Sequence, residues 1–103
     1  MTQEEKVFRF VSAIPAGKVT TYKNLAGVCG IKNPRLVGRI LHKNTDPLNI
    51  PCHRVVRADG SLSAGYAYGG KRGQKKRLIA EGIIINNHKI DLNKFCFYFP
   101  RSG

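Results

Sequence analysis

A single, mainly helical domain with small β elements is what this sequence predicts, and three observations predict it. The chain has 103 residues, room for one domain and little else. Hydrophobic residues make up 42% of it, enough for a core, so a wholly disordered basic tail is excluded. Three segments with capping residues and helical apolar spacing follow one another in the first half of the chain, two of them joined by a tight glycine turn.

The first helix starts at a capping box, Thr2 with Glu5 three positions on, and continues through Val7, Phe8, Val11 and Ile14. It stops at Pro15-Ala16-Gly17. An extended piece, Lys18-Val19-Thr20, leads to Thr21, the N-cap of a second helix over Tyr22 to Cys29 that Gly30 ends. Asn33-Pro34 reads as N-cap and first residue of a third helix through Arg35, Val37, Ile40 and Leu41. Helices two and three have the look of a helix-turn-helix. Arg35 and Arg39, four apart, share a face of the third helix, with His42 and Lys43 near its end.

Residues 43–51 form a polar, proline-bounded loop, and Cys52 to Val56 is extended in character. Asp59-Gly60 marks a turn. Four glycines and two tyrosines over residues 63–73 suggest a mobile loop able to close over a ligand. A helix with Leu78 and Ile79 follows, basic at its start (Lys71, Arg72, Lys75, Lys76, Arg77) and ended by Gly82 after Glu81. Ile83-Ile84-Ile85, Asn86-Asn87 and His88 to Leu92 predict a small hairpin, which makes the domain a winged helix-turn-helix. Phe95, Phe97 and Phe99 alternate with Cys96 and Tyr98, predicting a strand with one aromatic face.

Charge narrows the function. Lys and Arg number 18 against 6 Asp and Glu, a formal net charge of +12. Such an excess on a small domain favours a polyanionic partner, nucleic acid first; a ribosomal or merely soluble basic protein is the alternative. A plain helical hairpin with solvated charges is the alternative to the helix-turn-helix, and the net charge favours DNA. No apolar run approaches the roughly 20 residues that span a bilayer. The polar, acidic start predicts no signal peptide. Three cysteines (Cys29, Cys52, Cys96) without a CxxC pair argue against a disulfide framework or a cysteine-rich zinc site. They suit a reducing, intracellular setting.

One cysteine has chemistry beside it. Cys52 is preceded by Pro51 and followed by His53 and Arg54. The thiolate is the nucleophile, and an ordinary thiol is mostly protonated near neutrality, so a base and a positive charge nearby would activate it. Adjacent residues of an extended chain point to opposite sides, so His53 would act through a water or a bent backbone. A carboxylate would fix its tautomer, and Glu81 is the candidate among only six acids.

The string Ile50-Pro51-Cys52-His53-Arg54-Val55-Val56 closely resembles the active-site signature of the O6-alkylguanine-DNA alkyltransferases (methylated-DNA–protein-cysteine methyltransferases). Gly17-Lys18-Val19-Thr20-Thr21-Tyr22 is similar to the start of that family's helix-turn-helix, and Asn33 to Asn44 to its recognition helix and the asparagine after it. Gly65-Tyr66-Ala67-Tyr68-Gly69 looks like its binding-site loop and Ala80-Glu81-Gly82 like the end of its last helix. Order and spacing agree over residues 7–85.

The resemblance implies an alkyltransferase catalytic domain that repairs O6-alkylguanine by irreversible transfer to Cys52, in a single turnover and with no cofactor. His53 would be the base, through a water, oriented by Glu81, and Asn44 would brace the turn. Tyr22 would assist nucleotide rotation and donate a proton toward guanine N3. Arg35 would fill the vacated stack, and Thr21, Arg39 and Lys43 would hold DNA. Pro47 would wall the pocket, the carbonyls of Cys52 and Val55 would read the exocyclic amine, and the Tyr66–Tyr68 loop would meet O6. The implied partner is double-stranded DNA, entered by the minor groove and bound by a monomer. Cys29 and Cys96 are read as buried fillers, and no metal site is expected.

The chain departs from the pattern in four places. It is expected to be a single domain, 1–103, without the N-terminal domain that many members carry. Leu36 and Arg39 are bulkier than the small residues often found in the recognition helix, and the glycine-rich loop is about two residues longer than in some relatives. Alkyltransferase-like proteins, which bind lesions and have Trp or Ala at the cysteine position, are similarly small; this chain keeps Cys52. A lesion-binding protein that flags damage for excision repair is therefore the alternative function.

Overall fold

Each helix of the N-terminal half begins at the residue whose side chain caps it. Thr2 Oγ1 accepts the Glu5 amide at 3.1 Å and starts α1 (Gln3–Ser12). Thr21 Oγ1 accepts the Asn24 amide at 3.0 Å and starts α2 (Tyr22–Cys29). Asn33 Oδ1 accepts the Arg35 amide at 3.0 Å, with Pro34 as first residue of α3 (Pro34–His42). Caps of this kind contribute about 1 kcal/mol each. Gly30 ends α2 at φ 71°, the left-handed conformation that favours glycine. The computed structural model describes residues 1–100.

The rest of the chain runs through β1 (Thr20–Thr21), a 3-10 turn (Cys52–Arg54), β2 (Val55–Val56), α4 (Gly70–Ala80), β3 (Ile85–Asn86), β4 (Lys89–Ile90) and α5 (Leu92–Phe95). β1 and β2 pair in parallel, Thr20 opposite Val55 and Thr21 opposite Val56. β3 and β4 form an antiparallel hairpin whose turn residues Asn87 and His88 have φ of 51° and 63°, the signature of a primed hairpin turn. That hairpin is the wing of the domain, and Lys89 bridges it to Ser61.

Two apolar clusters meet at β2. Val7, Val11, Leu25, Val37, Ile40 and Leu41 from α1–α3 pack with Cys52, Val55 and Tyr66. Val19, Val56, Leu62, Leu78, Ile83 and Ile90 form the second cluster. Val55 and Val56 are both fully buried, because alternate residues of a strand face opposite sides and each side here is a core.

Four expectations are corrected. Cys52 to Val56 is not extended throughout: Cys52–Arg54 turn as a 3-10 helix and only Val55–Val56 are strand. The glycine-rich segment is tied down: α4 already begins at Gly70, and Gly73 lies inside it because a Cβ there would sit 2.2 Å from the Tyr68 carbonyl oxygen. The aromatic tail is not a one-faced strand. Asp91 caps α5 through the Asn93 amide at 3.0 Å, so Phe95 turns onto the second cluster while Phe97 and Phe99 join the first. There Phe99 meets Phe10 and Phe97 edge-to-face, with ring centroids 5.3 and 5.2 Å apart. Cys29 is buried as expected, but Cys96 is only half-buried, with Asn24 Nδ2 3.6 Å from its sulfur.

Candidate active site and nucleic-acid interface

The parallel β1–β2 pair sets the site. It places the first residue of α2, Tyr22, beside the turn that carries Cys52, although 30 residues separate them in sequence. The 3-10 turn follows Pro51, and the Asn44 side chain fixes the loop that leads into it. Asn44 Nδ2 donates to the Ile50 carbonyl at 2.8 Å while Asn44 Oδ1 accepts the Asp46 amide at 2.9 Å. The Tyr68 hydroxyl donates to the Asn44 carbonyl. Asn44 is buried and thus clamps both arms of the 44–51 loop.

Cys52 is 4% exposed. Burial pushes its thiol above the usual value, while the Asn44 carboxamide and the charge of Arg77 pull it partly back. The resting group is therefore a thiol, and its use as a nucleophile needs a base.

His53 supplies one. Its Nε2 lies 3.1 Å from Glu81 Oε2. Burial tends to raise the Glu81 pKa, but hydrogen bonds from Arg54 and His53 outweigh it and hold the group below its ordinary value. Glu81 is thus a carboxylate, which only accepts, so the hydrogen must sit on His53 Nε2. Burial also pulls the His53 pKa down, which keeps the ring neutral. Nδ1 is left with a free lone pair, buried and without a partner among the described residues. A neutral imidazole with its lone pair exposed in the interior, one residue from a thiol, is a general base in waiting.

Arg54 belongs to the same cluster, and sequence reasoning passed over it as a mere source of charge. Its Nε donates to both Glu81 oxygens, at 2.9 and 3.2 Å, and Nη1 donates to the Ile14 carbonyl at 2.7 Å. The Pro15 that ends α1 is thereby linked, through its neighbour Ile14, to the carboxylate behind His53. Gln74 was missed outright. Fully buried in α4, it accepts the Ser63 amide at 2.7 Å and donates to the carbonyls of His53 and Val55 at 3.0 and 2.9 Å. A glutamine amid basic residues gives no sequence signal; only its inward position on α4 does.

Between α2, α3 and residues 57–65 lies a cavity of about 1040 Å³, whose wall does not include Cys52, His53 or Glu81. Tyr22, Arg35, Arg39 and Ser63 line it, together with His42 and Arg57. Arg35 and Arg39 do share one face, as their spacing predicts. No acidic residue lines the cavity. The Tyr22 hydroxyl donates to Ser63 Oγ at 2.9 Å.

Other expected residues stand elsewhere. Lys43 lies off the cavity wall and pairs with Glu4 at 3.1 Å on the surface. The Thr21 side chain is buried and used as the α2 cap. Tyr66 is 6% exposed inside the first core cluster, its phenol pushed up to about 12 mainly by burial. Its loop is held by His42 Nδ1 at 3.2 Å from the Gly65 carbonyl and by the Tyr68–Asn44 bond. Tyr68 also lies under Arg77, whose guanidinium carbon is 5.9 Å from the ring centroid. Pro47 is half-buried and, like Tyr68 and Val55, is not on the cavity wall. The Val55 carbonyl already holds Gln74. Among the described residues no group of three His, Cys, Asp or Glu could hold a metal, and no helix is long and apolar enough to cross a membrane.

A cationic helix-turn-helix in one chain with a cysteine–histidine–carboxylate cluster is the combination of a DNA-binding domain that carries a reactive-type cysteine site. The chain belongs to the family described as 6-O-methylguanine DNA methyltransferase, DNA binding domain, whose model matches residues 2–83. It is 42% identical over 92 residues to a bifunctional methyltransferase/endonuclease of Picrophilus torridus, covering 88% of this chain and 30% of that one. It is 45% identical over 83 residues to a methylated-DNA--protein-cysteine methyltransferase of Pyrobaculum aerophilum, covering 81% and 54%. The chain thus spans about a third to a half of these curated relatives. The structure of S. pombe Atl1 in complex with damaged DNA containing O6-carboxymethylguanine superposes with a TM-score of 0.83 at 31% identity, over 92% of this chain and 94% of Atl1. DNA binding, methyl transfer and damaged DNA are the terms in which these relatives are described.

Proposed function

We propose that this domain repairs O6-alkylguanine in double-stranded DNA by taking the alkyl group onto Cys52. The observation that carries the proposal is the buried, unpartnered Nδ1 of a neutral His53 whose other nitrogen is held by Glu81, next to a thiol that burial keeps protonated.

A base inside a duplex is out of reach, so the damaged nucleotide turns out of the stack at a cost of a few kcal/mol, least for a poorly paired base. Arg35 enters the gap and offsets part of that cost. Arg39 contacts phosphates from the same helix face, with Lys43 just past its end, while the buried Thr21 contributes through the α2 N-terminus it caps. This reader of lesion shape approaches by the minor groove, as a monomer. Pro47, Val55, Tyr66 and Tyr68, none of them on the cavity wall, support from behind the loops that meet the extruded base.

Chemistry then follows. His53 Nδ1 takes the thiol proton through a water, held in orientation by Glu81, and Asn44 keeps the cysteine turn in place. The sulfur forms a bond to the alkyl carbon as the carbon–O6 bond breaks. The electron pair passes into the guanine, which takes a proton on N3 from Tyr22. Cys52 ends as a thioether and is not regenerated. Three free thiols fit an intracellular setting.

A second reading has its own support. The superposition on Atl1 covers almost the whole of both chains, which favours a lesion-binding protein that flags damage without removing it. Incubation with an oligonucleotide containing O6-methylguanine, followed by intact mass and peptide mapping, separates the two. A one-methyl gain on the Cys52 peptide is expected, with none in Cys52→Ala, which still binds the lesion. Tight binding with no mass gain would leave the lesion-binding reading instead.

A further inference from the structure

We infer that Ser63 is a positioning residue that works through Tyr22, steering the phenol proton toward the extruded base and steadying the oxygen left behind. The inference rests on the proposed alkyl transfer and adds to it a residue that the sequence did not single out.

Ser63 is 8% exposed and lines the cavity beside Tyr22. Its hydroxyl accepts the Tyr22 O–H at 2.9 Å. It cannot drift, because its own amide is bound to the fully buried Gln74 at 2.7 Å, and Gln74 holds the carbonyls of His53 and Val55. One continuous chain of hydrogen bonds therefore runs from the proposed acid, Tyr22, to the turn that carries the nucleophile. Residues 41 apart in sequence are paired at the cavity wall, on the side where a base would enter.

The hydroxyl has a second property, its own hydrogen. In the free domain Ser63 accepts from Tyr22. Once a base occupies the cavity and Tyr22 turns its O–H to N3, the Ser63 O–H is free to donate to the phenolic oxygen. As the carbon–O6 bond breaks and N3 takes the proton, that donation meets the negative charge appearing on Tyr22. Hydrogen bonds to charged groups are the strong ones. Burial raises the Tyr22 pKa, and the Ser63 hydrogen bond opposes it; the Cys52 thiolate raises it further and Arg57 lowers it. The other charged groups sharing the cavity are Lys23 and Lys32, with Arg35, Arg39 and His42 of α3. Burial outweighs the contacts that lower the pKa and keeps the phenol protonated at rest, so a hydroxyl that eases its ionisation matters when the proton leaves.

The test is the single-turnover rate of methyl transfer to Cys52, read by mass on saturating O6-methylguanine oligonucleotide across pH, for wild type, Ser63→Ala, Ser63→Thr and Tyr22→Phe. Ser63→Ala should lower the rate about tenfold and move the alkaline limb to higher pH, since Tyr22 acts protonated and loses the contact that eases its ionisation. Lesion affinity, measured in the Cys52→Ala background, should change less than about twofold. Ser63→Thr, which keeps the hydroxyl, should restore the rate, and adding Ser63→Ala to Tyr22→Phe should cost nothing further. An unchanged rate and pH limb in Ser63→Ala, or losses that multiply in the double variant, would overturn the inference. Absence of transfer by the wild type would instead sink the proposed activity.

Discussion

The cavity and the cysteine cluster are built on opposite principles. The cavity wall is cationic, open and unpaired: Arg35 and Arg39 project from α3 with no carboxylate among their neighbours on that wall. The Cys52–His53–Glu81 cluster is withdrawn from solvent and paired, with Glu81 taking hydrogen bonds from both His53 and Arg54 and only His53 Nδ1 left without a partner among the described residues. Charges left in water hold a phosphate backbone at little cost in stability. Charges taken out of water survive only in pairs. One region leaves its cations to solvent, and the other holds one geometry.

Removing a carboxylate from the buried side should break this contrast most strongly. Glu81→Ala leaves the Arg54 guanidinium, whose side chain is 16% exposed, without its partner, and should cost about 3 kcal/mol, read by chemical denaturation. Its pH dependence follows from two depressed groups. The folded His53 and Glu81 both have pKa values below their unfolded ones. Their contribution is therefore complete above about pH 6.5, the ordinary histidine value. It declines as acid protonates the unfolded imidazole, and falls further as the pH drops through the folded Glu81 pKa. Glu81→Ala should lack the second, more acidic part of that decline.

Gln74→Leu comes next. It keeps the volume but strands the carbonyls of His53 and Val55 and the Ser63 amide, at about 2 kcal/mol. An apolar gain that left stability unchanged would show that water reaches these groups.

Arg35→Ala should do the reverse of both. Unfolding free energy should move by less than about 0.5 kcal/mol, while lesion binding weakens and the slope of log affinity against log salt falls by about one. A loss of stability with an unchanged salt slope would place Arg35 in the structural class with Glu81.

The two regions also differed in how well they could be read. Local rules were enough for α1–α3: Thr2, Thr21 and Asn33 cap where their positions predict, and the four-residue spacing puts Arg35 and Arg39 on one face. The wing followed from Asn86-Asn87, and the structure realises it one residue on, with Asn87 and His88 in the left-handed region. Cys52, His53 and Glu81 came from the motif, and they do converge. Misreadings arose where tertiary contacts override local pattern. Phe95, Phe97 and Phe99 alternate like a strand, yet the Asp91 cap and two separate cores divide them. Gly70 and Gly73 look like loop residues, yet Gly73 is inside α4 because the helix passes too close to Tyr68 for a side chain.

Sequence alone determined the domain's charge and its helix-turn-helix and singled out Cys52 and His53 as candidates, because caps, periodicity and motif act over a few residues. Only the tertiary structure decided that Cys52 rests as a thiol, that His53 presents Nδ1 as its free nitrogen, and that Ser63 and Gln74 join Tyr22 to the cysteine turn. Those facts depend on burial and on hydrogen bonds between residues far apart in the chain. A two-residue parallel pairing of Thr20–Thr21 with Val55–Val56 brings them together.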